Sequence, residues 1–260
     1  MGNNFALITG ASQGLGFYLS SELAKRGYNL LIVSLPNENI KNTSENLEKE
    51  FNIIVKYKEL NLTMKSDIIE LCDWANLYPI SILINNAGCG GSKKIEDASL
   101  TYIETIIQLN ITATTTITKL LLPNLIKNAK SHILNIASMA AFSPIGYKTV
   151  YPASKKFIDF FSLGLHEELK DKNVSVTVAY PGPMKTNKEV TTRIESQNKF
   201  VNLGVVELNT IAKMCIDAML KGKRRIIPGK LNLLSKFILS ALPLRTKVRI
   251  LSTTIKKEIN

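Results

Sequence analysis

The sequence predicts the α/β class: one doubly wound parallel sheet with helices on both faces, in a single domain. Three observations predict it. Short β-rich runs alternate with longer amphipathic stretches from residue 5 to residue 227. The β-rich runs are continuous in apolar residues, as strands covered on both faces should be. No Pro/Gly/Ser-rich linker, internal repeat or low-complexity tract divides the 260 residues, of which 45% are apolar, so one sizeable core is expected.

The elements follow in order. FALIT at 5–9 is strand-like, and 14–27 is helical up to Gly27. LLIVS at 30–34 precedes a helix over 37–51, and IIVKY at 53–57 one over 63–76. SILIN at 81–85 leads into 99–128, a long helix or a pair kinked around Pro123. HILNIA at 132–137 precedes a helix over 148–172. VSVTVAY at 174–180, a helix over 205–220 and RRII at 224–227 complete the pattern. Right-handed crossovers wind such a series into a sheet whose ligand sits at the carboxyl ends of the strands. Gly10, the 85–88 segment, Ser138 and Pro181-Gly182 each come just after a strand, so all four fall on that one edge.

Several functions are disfavoured. Cys72, Cys89 and Cys215 are odd in number and show no CxxC spacing, and His132 and His166 lie far apart. No metal site is expected from them, and a reduced compartment fits. The start, MGNNFALITGAS, lacks a signal-peptide pattern, and no apolar run reaches the ~18 residues of a membrane span, so a cytoplasmic location is expected. The net charge is +12, but residues 221–260 carry eleven Lys/Arg against the single acid Glu258, which is +10 of it. No nucleic-acid-binding module surrounds this charge, so no nucleic-acid partner is expected.

Thr9-Gly10-Ala11-Ser12-Gln13-Gly14-Leu15-Gly16 joins the first strand to the first helix. Glycines there let the backbone turn tightly and approach a pyrophosphate, and the helix offers free N–H groups and its positive dipole end. The alternative is a tight turn with no ligand. Tyr151 and Lys155 stand four residues apart near the start of a helix, so phenol and ammonium share a face. A nearby cation favours the phenolate, which brings a phenol of ordinary pKa about 10 toward general acid/base work. Taken alone, such a pair is more often a surface feature. Ser138 could donate to the same substrate oxygen as Tyr151, as in an oxyanion site.

The motif order TGxxxGxG (Thr9–Gly16), NNAG (Asn85–Gly88), Ser138, YxxxK (Tyr151–Lys155) and Pro181-Gly182 resembles the short-chain dehydrogenase/reductase family, in its short single-domain branch. The resemblance covers roughly residues 5–228. It implies a Rossmann-like fold and a nicotinamide-dependent oxidoreductase that interconverts a carbonyl and a secondary alcohol, on a substrate expected to be apolar. It implies Tyr151 as general acid/base, Lys155 as its tuner and ribose ligand, Ser138 as the group positioning the substrate oxygen, and Asn110 in QLNIT as support for a proton relay. Asn110 could equally be a satisfied core amide. The cofactor-binding set it implies is Gly10, Ser12, Gln13, Gly14, Leu15, Gly16, Ser34, Asn61, Leu62, Asn86, Ala87, Gly88, Tyr151, Lys155, Pro181, Gly182, Met184 and Thr186.

NAD-binding sheets carry an acid at the end of the second strand. Here Ser34-Leu35-Pro36-Asn37 has none until Glu38, while Ser34, Asn37, Asn39 and Lys41 could meet a 2′-phosphate. NADP(H) is therefore favoured, with NAD(H) open. Asn61 stands where similar proteins often have Asp. The competing functions are a catalytically silent nicotinamide-binding regulator, which would more often lack the Tyr or the Lys, and a peripheral membrane reductase of lipid-like substrates. Similar proteins are often homodimers or homotetramers.

Two regions are expected, 1–228 as the cofactor-binding and catalytic domain and 229–260 as a basic amphipathic extension. The extension admits three readings: a lid over the site, a helix packed on a partner subunit, or a segment on an anionic membrane surface.

Overall fold

The structure, a computed structural model, describes residues 4–184 and 206–259. Seven parallel strands form one sheet in the order β3-β2-β1-β4-β5-β6-β7. They are β1 (Phe5–Thr9), β2 (Asn29–Ser34), β3 (Val55–Glu59), β4 (Ile80–Asn85), β5 (Ser131–Ile136), β6 (Val174–Ala179) and β7 (Arg225–Ile226). Strand order reverses between β1 and β4, and such a switch point opens a crevice at the carboxyl ends. Thr9 and Asn85 end those two strands.

Every residue of β1, β4 and β5 is buried, which explains their unbroken apolar runs. One face packs on α1 (Gly14–Ala24), α2 (Ile40–Phe51) and α7 (Leu208–Leu220), through Leu15, Leu19, Leu23, Ile40, Ile211 and Ile216. The other packs on α3 (Lys65–Ala75), α5 (Thr114–Ile126) and α6 (Val150–Glu168), through Leu71, Ile117, Leu121 and Leu165. Strand and helix order match the sequence reading, and the doubly wound single-sheet expectation holds.

Two details differ. β3 lies two residues later than IIVKY suggests, because Asn52 ends α2 in a left-handed conformation and the Ile54 amide donates to the Asn29 side chain while its carbonyl accepts from the Leu30 amide. The 99–128 stretch is interrupted at another place than Pro123. Pro123 sits inside α5, whereas a π-helical stretch, Gln108–Ala113, separates α4 (Leu100–Ile107) from it. Single π-turns gather at functional sites, and this one contains Asn110.

The basic extension also forms helices, α8 (Lys230–Ala241) and α9 (Leu244–Ile259). Both return to the main body. α8 packs on the single-turn helix Met139–Phe142, and the Ser252 hydroxyl of α9 accepts from the Gly146 amide at 2.7 Å. No helix among the described residues is long and apolar enough to cross a membrane.

Candidate active site

The glycine turn is built by steric exclusion. Gly10 has φ +66°, and a Cβ there would approach Ala87 Cα to 3.0 Å. A Cβ at Gly16 would overlap the carbonyl oxygen of Gly10. The turn is tied to the end of β4. Asn86 Nδ2 donates to the Thr9 and Gly10 carbonyls at 2.9 and 3.0 Å, and Thr9 Oγ1 accepts from the amides of Asn86 and Ala87. Asn86 therefore spends its side chain on the loop itself. Gly14 opens α1 and the half-buried Ser12 stands on the turn, where its hydroxyl donates to Glu38 Oε2 at 2.5 Å.

Glu38 is the residue that sequence reasoning missed here. It seemed too far past β2, but Asn37 and Asn39 both adopt left-handed conformations (φ 65° and 60°) and fold the β2–α2 loop back. Asn side chains tolerate that region, which was the available signal. Ser34 lies buried at the end of β2 with its hydroxyl donating to the Leu35 carbonyl. Lys41, a candidate cation for this corner, is exposed and pairs at 3.9 Å with Glu45. Asn61 Oδ1 accepts from the amide and hydroxyl of Thr63, and Leu62 is buried in the core.

The next cluster joins α6 to the β4 exit. Tyr151 and Lys155 share one face of α6, with Lys155 Nζ 5.9 Å from the centre of the Tyr151 ring. Lys155 is buried and donates to the Ile136 carbonyl at 2.9 Å, two residues before Ser138. Burial disfavours the ammonium and brings its pKa down to about 8, against a small opposing effect of the neighbouring Cys89 thiol. Lys148 adds a second cation 5.3 Å from the same ring. Gly88 fits between Asn110 and Lys155: a Cβ there would lie 2.9 Å from Asn110 Oδ1 and 3.1 Å from Lys155 Nζ.

Asn110 is buried, and its amide is fully used. Oδ1 accepts from the Cys89 amide, while Nδ2 donates to the Cys89 carbonyl and to Ser154 Oγ, all at 2.9 Å. Ser154 then donates to the Tyr151 carbonyl at 2.8 Å. Ser138 caps the Met139–Phe142 turn by accepting from the Ala140 amide at 3.1 Å. The Met139 amide donates to the Pro181 carbonyl, linking the β5 and β6 exits. Gly182 faces Asn232 of α8, whose Oδ1 would lie 2.5 Å from a Cβ placed there. Nothing in the sequence pattern marked Asn232. Met184 packs against the α1–α7 core, and Thr186 lies outside the described residues.

The described residues hold no cluster of His, Cys, Asp or Glu suited to a metal. Cys72 and Cys215 are buried thiols pushed up to about 12 by burial, and burial lowers His132 to about 4. These are core side chains. A shallow cavity of about 240 Å³ is lined by Lys94, Ile95, Glu96, Tyr147 and Thr149.

The sheet order and the glycine turn at its switch point define a Rossmann-like nucleotide-binding fold. A family model described as short chain dehydrogenase matches residues 4–197, and the chain belongs to that family of oxidoreductases. The very-long-chain 3-oxoacyl-CoA reductase of Rattus norvegicus is 31% identical over 182 residues, covering 68% of this chain and 58% of the relative. The match thus spans little more than half of that relative's length. A short-chain dehydrogenase from Sphingobium yanoikuyae, solved in complex with NADPH, is 26% identical with a TM-score of 0.79 over 92% of this chain and 96% of its own. The bulky-bulky ketone specific alcohol dehydrogenase of Comamonas testosteroni is also 26% identical, with a TM-score of 0.77 over 93% and 96%.

Proposed function

We propose that the chain interconverts a carbonyl and a secondary alcohol, with Tyr151 as the general acid/base. The observation that carries this reading is the buried Lys155 one helical turn from Tyr151, its ammonium 5.9 Å from the ring centre. A lysine with a pKa of about 8 is still mainly protonated near neutrality, so the cation is present where a phenolate needs it. In the reductive direction the Tyr151 hydroxyl gives its proton to the carbonyl oxygen, and Lys155 steadies the phenolate left behind. Ser138 donates to the same oxygen and disperses the charge that develops there. Asn110 holds the Cys89 backbone and α6 in place. A bound nicotinamide supplies or accepts the hydride. The residues fit such a group: the backbone at Gly10 and Gly16 leaves no room for a Cβ, and α1 begins at that turn. Lys155 would hold the ribose hydroxyls.

NADP(H) is the cofactor we favour, supported by the NADPH-bound neighbour at 26% identity. One observation favours NAD(H) instead. The Glu38 carboxylate bonded to Ser12 would accept ribose hydroxyls and repel a 2′-phosphate. Consumption of NADPH and NADH over a panel of apolar ketones, for the native chain and Tyr151→Phe, tests both points. The expected result is turnover with NADPH that falls at least about a hundredfold in the variant, while NADPH binding stays within about twofold. Retained turnover in Tyr151→Phe would overturn the proposed role. A preference for NADH that Glu38→Gln abolishes would establish the second reading.

A further inference from the structure

α8 is mounted inside out. Its inner side carries Asn232, which is buried, donates to the Pro228 carbonyl at 2.9 Å and fits against Gly182, with the half-buried Leu239 beside it. Its outer side is apolar. Leu231, Leu233, Leu234, Phe237 and Ile238 are 48, 43, 55, 58 and 55% exposed, and Ala241 is exposed with them. At 100° per residue these six share the arc opposite Asn232. A surface helix ordinarily turns its apolar stripe to the core. Here the helix is seated the other way round, and among the described residues nothing covers its apolar face.

The surrounding charge indicates what covers it. Lys230 of α8 and Arg245, Arg249, Lys256 and Lys257 of α9 are exposed, and Glu258 is the one acid of the two helices. A second copy would bring its own cations against these. An anionic bilayer is complementary to them and takes up the leucines and the phenylalanine at its interface. At twelve residues α8 is about 18 Å long, too short to span a hydrocarbon core of about 30 Å.

We infer that α8 docks this chain onto an anionic membrane surface, lying in the interface with Leu231, Leu234, Phe237 and Ile238 inserted and the exposed basic residues of α8 and α9 on the headgroups. The helix then stands between the bilayer and the Gly182 turn, about 10 Å from each other. The docking does not depend on the catalytic reading.

The test is flotation of the full chain with vesicles of phosphatidylcholine alone, and of about three parts phosphatidylcholine to one of phosphatidylserine. The native chain should float with the mixed vesicles, remain below with the neutral ones, and be released by about 0.5 M salt. The triple variant Leu234→Ser, Phe237→Ser, Ile238→Ser should lose at least about tenfold of its vesicle partitioning, with thermal unfolding and NADPH binding unchanged. A native chain that stays below with mixed vesicles overturns the inference. So does a triple variant that floats like the native chain. Light scattering covers the remaining occupant. A dimer that the triple variant dissociates, without vesicle binding by the native chain, assigns the face to a second copy and overturns the bilayer.

Discussion

Asn110 of the π-helical stretch donates to the hydroxyl of Ser154, which donates in turn to the carbonyl of Tyr151. Two helices from different parts of the chain are thereby locked at the residue assigned the proton. Asn110→Ala leaves the half-buried Cys89 amide and carbonyl without their side-chain partner and the Ser154 hydroxyl without its buried donor. A stability loss of about 2–4 kcal/mol is expected, since each unmade buried hydrogen bond costs about 1–3. Ser154→Ala breaks only the bridge and should cost about 1 kcal/mol. Urea unfolding measures both. Turnover should fall more than NADPH binding in each variant, and equal falls would show that the link serves only the fold.

Gly90 packs directly on the Tyr151 ring. A Cβ there would sit 2.7 Å from Tyr151 Cε2, and closer still to Cδ2, so the ring must move. Gly90 is exposed and its backbone is not left-handed, which makes Gly90→Ala conformationally harmless elsewhere. A displaced catalytic group by about 1 Å can cost about a hundredfold in rate. We expect kcat to drop by about that factor, with Tm shifted by less than about 3 °C. Native turnover in Gly90→Ala would mean that Tyr151 is not the group whose position limits the reaction.

Lys155 gives the chain a stability that depends on pH. Its pKa falls from the ordinary lysine value to about 8 on burial. A basic group with a depressed folded pKa binds fewer protons folded than unfolded between the two values. The penalty for its burial is thus fully present below pH about 8 and is relieved as pH rises toward about 10.4. From pH 7 to pH 9.5 this adds about 2 kcal/mol of stability that Lys155→Met should not show. Urea midpoints of the two proteins at both pH values measure the difference.

The parallel sheet was readable because β1, β4 and β5 are buried along their whole length, so apolar runs and strands coincide. The edge strand β3 was misplaced because only Val55 of its five residues is buried. Gly10, Asn86 and Ser138 could be placed on one edge of the sheet because each follows a strand, whereas Tyr151 and Lys155 were singled out by their four-residue spacing on α6. Glu38 was passed over because its approach to Ser12 depends on two left-handed asparagines, a property of φ rather than of spacing. In α8 the apolar periodicity was plain, but periodicity does not say which way a stripe faces. That is set by long-range contacts, Asn232 against Gly182 and the helix against the Met139–Phe142 turn.

Asp159 lies fully buried on α6, four residues beyond Lys155, and Tyr180 donates to it at 2.5 Å. Arg225 at 3.2 Å and Lys156 at 2.7 Å complete its shell. Burial alone would raise the carboxyl, but hydrogen bonds from Lys156 and Tyr180 and the charges of Lys156 and Arg225 outweigh it and hold the pKa below the ordinary value. The same burial, with Asp159 alongside, pushes the Tyr180 phenol up, so the carboxylate and neutral phenol form the stable pair. Asp159→Ala leaves the Tyr180 hydroxyl without its acceptor in the core and should destabilise the chain by about 1–3 kcal/mol. Asp159→Asn retains an acceptor and should recover part of that loss. A depressed carboxylate pKa contributes stability that is complete above its unfolded value of about 3.9 and is lost as pH falls through the folded one. Acid unfolding should therefore lose part of its steepness in Asp159→Asn. An acid transition identical to the native one would show that Arg225 and Lys156 do not hold this carboxylate ionised.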